Sequence, residues 1–390
     1  MFNDQLIKLT AHGTKTLHVF CYSFIFKKYG LLLIFCITSY FSTAQKGLSI
    51  ESTFHLGAVT KHSPELTFDV KGPTVGIDVN FKFQTSGEKE WHQVYNYPDY
   101  GVSYHYIDFK NQYLGVNHAF GLHYNFYFFN RHLMFRVSQG FGITSNPYNK
   151  ETNNKNNAFG TKILDNNYFL LQYQKQNLID KIGLQAGFML THFSNGRFKA
   201  PNSGINSFTF NVGLNYNFDE EREFIRDSLP SNSSYKERIK YNIAFRTGIS
   251  EGPVPHLGQK QFYHVGLYAD KRIGRKSALQ AGTDIFFSRY LEDYIKFVSV
   301  AFPEDHESYA DPETDYRRIG LFIGHELFIN KLSVETQIGY YVYKPFNYEI
   351  DIYQRLGMKY YLYQNWFIGV GLKTHGARAE AIEATLGIRL

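Results

Sequence analysis

The sequence predicts an all-β chain, a transmembrane antiparallel β-barrel of about sixteen strands. Three observations carry that prediction. Apolar and polar residues alternate with a period of two through most of the chain, which sends them to opposite faces of strands. The 390 residues include 36 Phe and 31 Tyr, 18% aromatic in all, with only 19% charged; soluble domains average roughly 25% charged. Beyond residue 44, no apolar run reaches the roughly 20 residues that a membrane helix needs, and mean hydropathy is −0.34.

Composition also removes whole classes of chemistry. Both cysteines, Cys21 and Cys36, lie in the first 44 residues. The mature chain then has none, which excludes disulfides, thiol catalysis and cysteine metal sites. No histidine spacing of the zinc type stands out, and the chemistry read from Leu184–Phe218 needs neither a metal nor an organic cofactor. A net charge of +6 is modest for this length, and no basic run with interleaved aromatics supports nucleic-acid binding.

Residues 1–44 read as a secretory leader. Lys27 and Lys28 precede the apolar run Tyr29–Phe41, and the small residues after it place cleavage behind Ala44. Export combined with barrel strands predicts a bacterial outer membrane.

The first unit, 45–218, offers strands near 47–58, 73–84, 99–109, 113–129, 132–144, 167–176, 181–194 and 206–218. Val75, Ile77, Val79, Phe81 and Phe83 alternate with Gly76, Asp78, Asn80 and Lys82, and the same pattern recurs from Leu114 to Phe128. Eight strands close the smallest common barrel of this kind, with a lumen filled by side chains. Residues 219–239 carry dense charge with Pro and Ser, an aqueous linker or turn. A second set of strands occupies 240–390, near 240–250, 260–272, 276–288, 315–328, 331–343, 348–362, 366–375 and 379–390, with 289–314 as a long acidic loop. There Lys373, His375, Asp351, Arg355, Lys359, Glu383 and Arg389 take the inward parity, which suits a watery or salt-bridged lumen.

Two architectures fit: one barrel of about sixteen strands, or two fused barrels of eight. The strand ending at Phe218 has the spaced terminal aromatics of a barrel's last strand, which favours two. Closure of a chain on its own final strand favours one, and one is the expectation here.

The stretch Leu184–Phe218 holds the chemistry. Leu184, Ala186, Phe188, Leu190, His192 and Ser194 share one face; after a loop, Phe208, Phe210, Val212, Leu214, Tyr216 and Phe218 share another apolar one. A His and a Ser on a greasy face suit an enzyme whose substrate is a lipid. If the mature N-terminus is periplasmic, the loop Asn195–Ile205 lies outside the cell and the pair stands at the level of the outer leaflet.

The pattern His192-Phe193-Ser194-Asn195, then Pro201-Asn202 and Gly204, resembles the lipid A 3-O-deacylase (PagL) family, of the acyloxyacyl hydrolase-like kind, over about 47–218. The resemblance implies an outer-membrane serine esterase that removes an ester-linked acyl chain from lipid A in lipopolysaccharide. It makes Ser194 the nucleophile and His192 its general base. A serine hydroxyl needs such a neighbour, and residues i and i+2 share a strand face. Asn195 and Asn202 are candidate donors to the oxyanion, and Arg197 and Lys199 candidate partners of lipid A phosphates. One position departs from the family, which has a Glu where Asn206 stands. Asn orients an imidazole by hydrogen bonding but adds no charge to steady its cation.

Other readings compete. A His on an aromatic strand also serves as an interfacial belt residue, and Ser-Asn opens many turns. A non-enzymatic barrel, pore or surface scaffold, with a vestigial site is the alternative of a different class. A calcium-dependent phospholipase barrel lacks an acidic cluster near Ser194. His375, with no serine two residues on, reads as lumen structure.

Overall fold

Alternation becomes wall. In the computed structural model, residues 47–390 are described except 61–65, 69, 71, 220–222, 227–234, 236, 256, 364 and 377. The expected leader, 1–44, and part of the expected linker lie outside the described residues. The first eight strands are β1 (Leu48–Thr60), β2 (Thr74–Gln84), β3 (Asp99–Asp108), β4 (Val116–Phe128), β5 (Leu133–Thr144), β6 (Ile163–Ile179), β7 (Ile182–Ser194) and β8 (Ile205–Asn217), with the short helix α1 (Glu90–Val94) before β3. The second eight are β9 (Lys240–Glu251), β10 (Gln259–Arg272), β11 (Ser277–Ser288), β12 (Arg318–Ile329), β13 (Leu332–Tyr343), β14 (Ile352–Tyr361), β15 (Trp366–His375) and β16 (Arg378–Arg389), with helix α2 (Tyr290–Ala301) before β12. No helix among the described residues is long and apolar enough to cross a membrane.

Each set of eight closes on itself. β1 pairs antiparallel with β8 from Ser49↔Asn217 to Thr60↔Asn206, and β16 pairs with β9 from Ala384↔Thr247 to Arg389↔Asn242. The expectation of one sixteen-stranded barrel is therefore corrected to two barrels of eight. In lipid, every strand edge must find a backbone partner. β8 finds its partner in β1 at once, and the polar segment after Asn217 leads to a fresh first strand.

Outside, both walls are apolar. Phe188, Phe208, Phe210, Val212 and Leu214 are exposed on the first barrel, and Ile243, Phe245, Trp366, Ile368 and Val370 on the second. Inside, both lumens are packed and salt-bridged. Arg136 reaches Glu51 at 2.5 Å and Asn125 at 2.7 Å, while Arg355 joins Asp284 at 2.8 Å and Glu383 at 2.6 Å. Lys359, Lys373, His375 and Glu383 are buried there as their parity predicts; Asp351 is not, because β14 starts one residue later and leaves it exposed in a loop. Gly320 and Gly339 make room for the Tyr353 ring, which a Cβ at Gly339 would meet at 2.2 Å. An apolar plug of Phe109, Leu114, Phe159, Phe193 and Ile205 fills the upper end of the first barrel.

The barrels touch at both rims. At the lower rim Tyr95 donates to the Phe328 carbonyl at 2.8 Å, and Arg275 pairs with Glu90. At the upper rim the loop between β7 and β8 reaches the second barrel.

Candidate active site

Phe193 sets the geometry. Its ring is fully buried in the apolar plug, edge-on to Phe109 at 6.1 Å. Strand alternation then turns His192 and Ser194 outward on either side of it. Antiparallel register brings Asn206 of β8 opposite His192, and Asp165 and Asn167 of β6 opposite Ser194 and His192. Just below lies the apolar belt, where Phe188 stacks on Phe208 at 5.6 Å.

His192 Nδ1 lies 2.6 Å from Asn206 Oδ1. An amide oxygen only accepts, so this contact calls for a proton on Nδ1. Gly204 presses against both partners: a Cβ there would lie 3.1 Å from His192 Cε1 and 3.3 Å from Ser194 Cβ, and its φ of +65° disfavours any side chain. Ser194 is only 4% exposed and His192 half-buried. The pair is outward by parity but sheltered under the loop, so it is less open to lipid than its strand face implies.

The loop is stapled by its own asparagines. Asn195 N–H donates to Asn202 Oδ1 at 2.7 Å, and Asn195 Nδ2 donates to the Lys199 carbonyl at 2.7 Å. Those side chains shape the turn. The donor aimed at the nucleophile is Gly196 N–H, 3.4 Å from Ser194 Oγ. Arg197 turns away, toward Glu349 and Tyr348 of the second barrel, and Lys199 is exposed.

Asp165 escaped the sequence reading. Among the described residues of β6, β7 and β8 it is the outward acid, with Gln139 Nε2 donating to it at 2.6 Å and Asn167 Nδ2 to its other oxygen. The signal was its register with Ser194, hidden because β6 starts at Ile163 and not at residue 167.

Two other clusters bring metal-ligand atoms together. His55, Asp78 and His105 converge inside the first barrel, each from a different strand. There Asp78 is the one carboxylate among the three, already paired with both imidazoles, while Glu51 in the same lumen is taken by Lys82 and Arg136. Glu349, His375 and Glu380 meet at the mouth of the second barrel. There the two carboxylates are committed to Arg197, Arg318 and Lys373.

The fold and the site define a tandem eight-stranded barrel with an external Ser–His–Asn cluster on one unit. Residues 75–215 match the lipid A 3-O-deacylase (PagL) family, and residues 239–390 match the acyloxyacyl hydrolase C-terminal domain family. The first barrel thus carries the match to the PagL family and the second the match to the acyloxyacyl hydrolase C-terminal domain family. No curated protein matches it. Engineered variants of a Rhodopseudomonas blastica porin align over 88% of this chain and 99% of theirs, at 9% identity for one variant and 8% for a triple mutant; the TM-score of 0.19 carries no argument.

Proposed function

We propose that the chain is an outer-membrane serine esterase that removes an ester-linked acyl chain from lipid A. The observation that carries this reading is the 2.6 Å contact from His192 Nδ1 to Asn206 Oδ1, on the face and at the level of Ser194. It supports the tautomer with its proton on Nδ1, the one a general base acting through Nε2 requires.

Ser194 Oγ gives its proton to His192 Nε2 and attacks the acyl carbonyl. The oxyanion that forms accepts from Gly196 N–H; a donor of this kind is worth about 3 kcal/mol. The imidazolium then protonates the departing sugar hydroxyl. Water, activated by the same imidazole, releases the fatty acid from Ser194 and restores the enzyme. Asp165, in register with Ser194, supplies the negative charge that Asn206 lacks, steadying the imidazolium as it forms. Lys199 is the exposed cation beside the site for a lipid A phosphate; Arg197 is otherwise committed. The loops carrying the site face the cell exterior, so lipopolysaccharide in the outer leaflet is the substrate within reach.

Mass spectrometry of lipid A from cells carrying the chain tests this. Loss of one ester-linked acyl chain is expected with the native protein and not with Ser194→Ala. Identical acylation in both ends the reading. The low exposure of Ser194 favours a rival, a non-enzymatic scaffold with a vestigial site. Its pore form is disfavoured by the filled lumens, and it predicts neither deacylation nor conductance in planar bilayers.

A further inference from the structure

The loop 195–204 leaves the first barrel at Ser194, and the second barrel meets several of its polar groups. The Arg197 carbonyl accepts from Glu251 N–H at 3.2 Å and Ser250 Oγ at 3.4 Å. The Phe198 carbonyl accepts from Gln259 Nε2 at 2.8 Å, and Ala200 N–H donates to Glu251 Oε2 at 2.7 Å. The Arg197 side chain donates to Glu349 Oε1 at 3.2 Å and Tyr348 OH at 3.0 Å, with its guanidinium 5.3 Å from the Tyr290 ring centre. Gly196 rests on Ile382, which a Cβ would strike at 2.2 Å.

A network of buried charges meets the arginine of this loop. Along the lumen of the second barrel, the carboxylates of Asp284, Glu326, Glu335, Glu349, Glu380 and Glu383 interlock with Arg246, Arg318, Arg355, Lys359 and Lys373. Arg197 arrives from the other barrel onto Glu349, the carboxylate nearest the mouth. Burial works against the guanidinium's charge, yet Tyr290, Tyr348 and Glu349 hold its pKa above the ordinary value. A charge so placed is costly to withdraw, because Glu349 would keep part of its burial with one partner fewer.

We infer that the second barrel is the positioning partner of the reactive loop, with Arg197 as the clamp that holds Gly196 N–H against Ser194. The inference rests on the esterase reading for its catalytic consequence and on the contacts alone for the docking. Arg197 is a positioning residue: it touches neither Ser194 nor His192, and acts through the loop backbone. Preorganised donors stabilise a transition state more than a ground state. Loosening the clamp therefore lowers kcat and leaves KM nearly unchanged.

The test uses the full chain in detergent micelles with purified lipopolysaccharide, comparing the native protein with Arg197→Ala, Arg197→Lys, Glu349→Gln and the Arg197→Ala/Glu349→Gln pair. Barrel integrity is read from heat-modifiable gel migration. Trypsin cleavage after Lys199 reads loop mobility. The expected result is a roughly 10- to 100-fold fall in kcat for Arg197→Ala with KM within about threefold. Partial rescue by Arg197→Lys, faster cleavage at Lys199 and a double variant no worse than the worse single one complete it. A folded Arg197→Ala protein with native kcat and native cleavage overturns the clamp. Should the native protein itself leave lipid A intact, the esterase reading fails, and the cleavage rates alone then decide the docking.

Discussion

Each barrel sets a serine beside a histidine, on opposite sides of its wall. In the first, Ser194 and His192 face outward at the rim, with Asn206 behind the imidazole at 2.6 Å. In the second, Ser288 Oγ lies 3.0 Å from His264 Nε2, and His264 Nδ1 lies 2.6 Å from Glu383. Judged by hydrogen-bond geometry alone, the inner trio is the better triad. But its serine also receives Arg318 Nη2 at 2.8 Å and donates to Glu380 at 2.9 Å, all within a sealed lumen under Tyr290 and Leu291. A hydroxyl held by three partners has no lone pair aimed at a substrate and no space for one. Triad geometry is common wherever Ser, His and acids are buried together; a hydroxyl already committed to three buried partners marks a structural network.

Serine-to-alanine changes in the two barrels sharpen this contrast most. Ser194→Ala is expected to lower deacylation by about 1,000-fold or more with heat-modifiable migration unchanged. Ser288→Ala is expected to leave activity within about twofold, while the partners it abandons cost roughly 1–3 kcal/mol of stability. The second effect would appear as an earlier loss of the folded gel band on heating. Loss of activity in Ser288→Ala with a native melting profile would move the active site to the second barrel.

Gly204 gives the next largest effect. Its left-handed φ and its close approach to His192 and Ser194 make a methyl group both strained and tight there. Gly204→Ala should push the imidazole and hydroxyl apart and strain the loop, lowering kcat about 100-fold. Gly258, also at positive φ but with open space around it, is the control. Gly258→Ala should leave kcat within about threefold, since strain there has no reacting group to displace.

How much of this was legible in the chain follows from where the apolar residues stand. β7 and β8 were readable because strong apolars mark one face throughout. The start of β6 was not, since Asp165, Asn166 and Asn167 put polar residues on both faces and read as loop; Asp165 went with it. Helix α2 was hidden in an acidic loop, because Tyr, Val, Ile and Phe are weak helix formers and mask the pattern that buries Tyr290, Leu291, Ile295 and Val298. Two closures in place of one depend on the pairing of β1 with β8, which no local window contains. The candidate triad positions were placed by motif spacing and parity, but the partner of Arg197 lies 152 residues away in sequence, beyond any reading by periodicity.

The smallest effects concern where the negative charge of the outer site resides. Asn206 orients His192 without stabilising its cation. Asn206→Ala should therefore cost about 10- to 30-fold in kcat, by freeing the imidazole to rotate. If Asp165 supplies the charge, Asp165→Asn should cost about tenfold in the native background. With Asn206→Glu already present, a carboxylate stands directly behind Nδ1, and Asp165→Asn should then cost no more than about threefold. The two positions are coupled through one imidazolium, so their effects fall short of additive. Additive costs in that cycle would assign Asp165 to holding Gln139 and Asn167 in the wall. The outer site would then take no charge from Asp165, unlike the inner one, where Glu383 pairs with His264 inside a closed network.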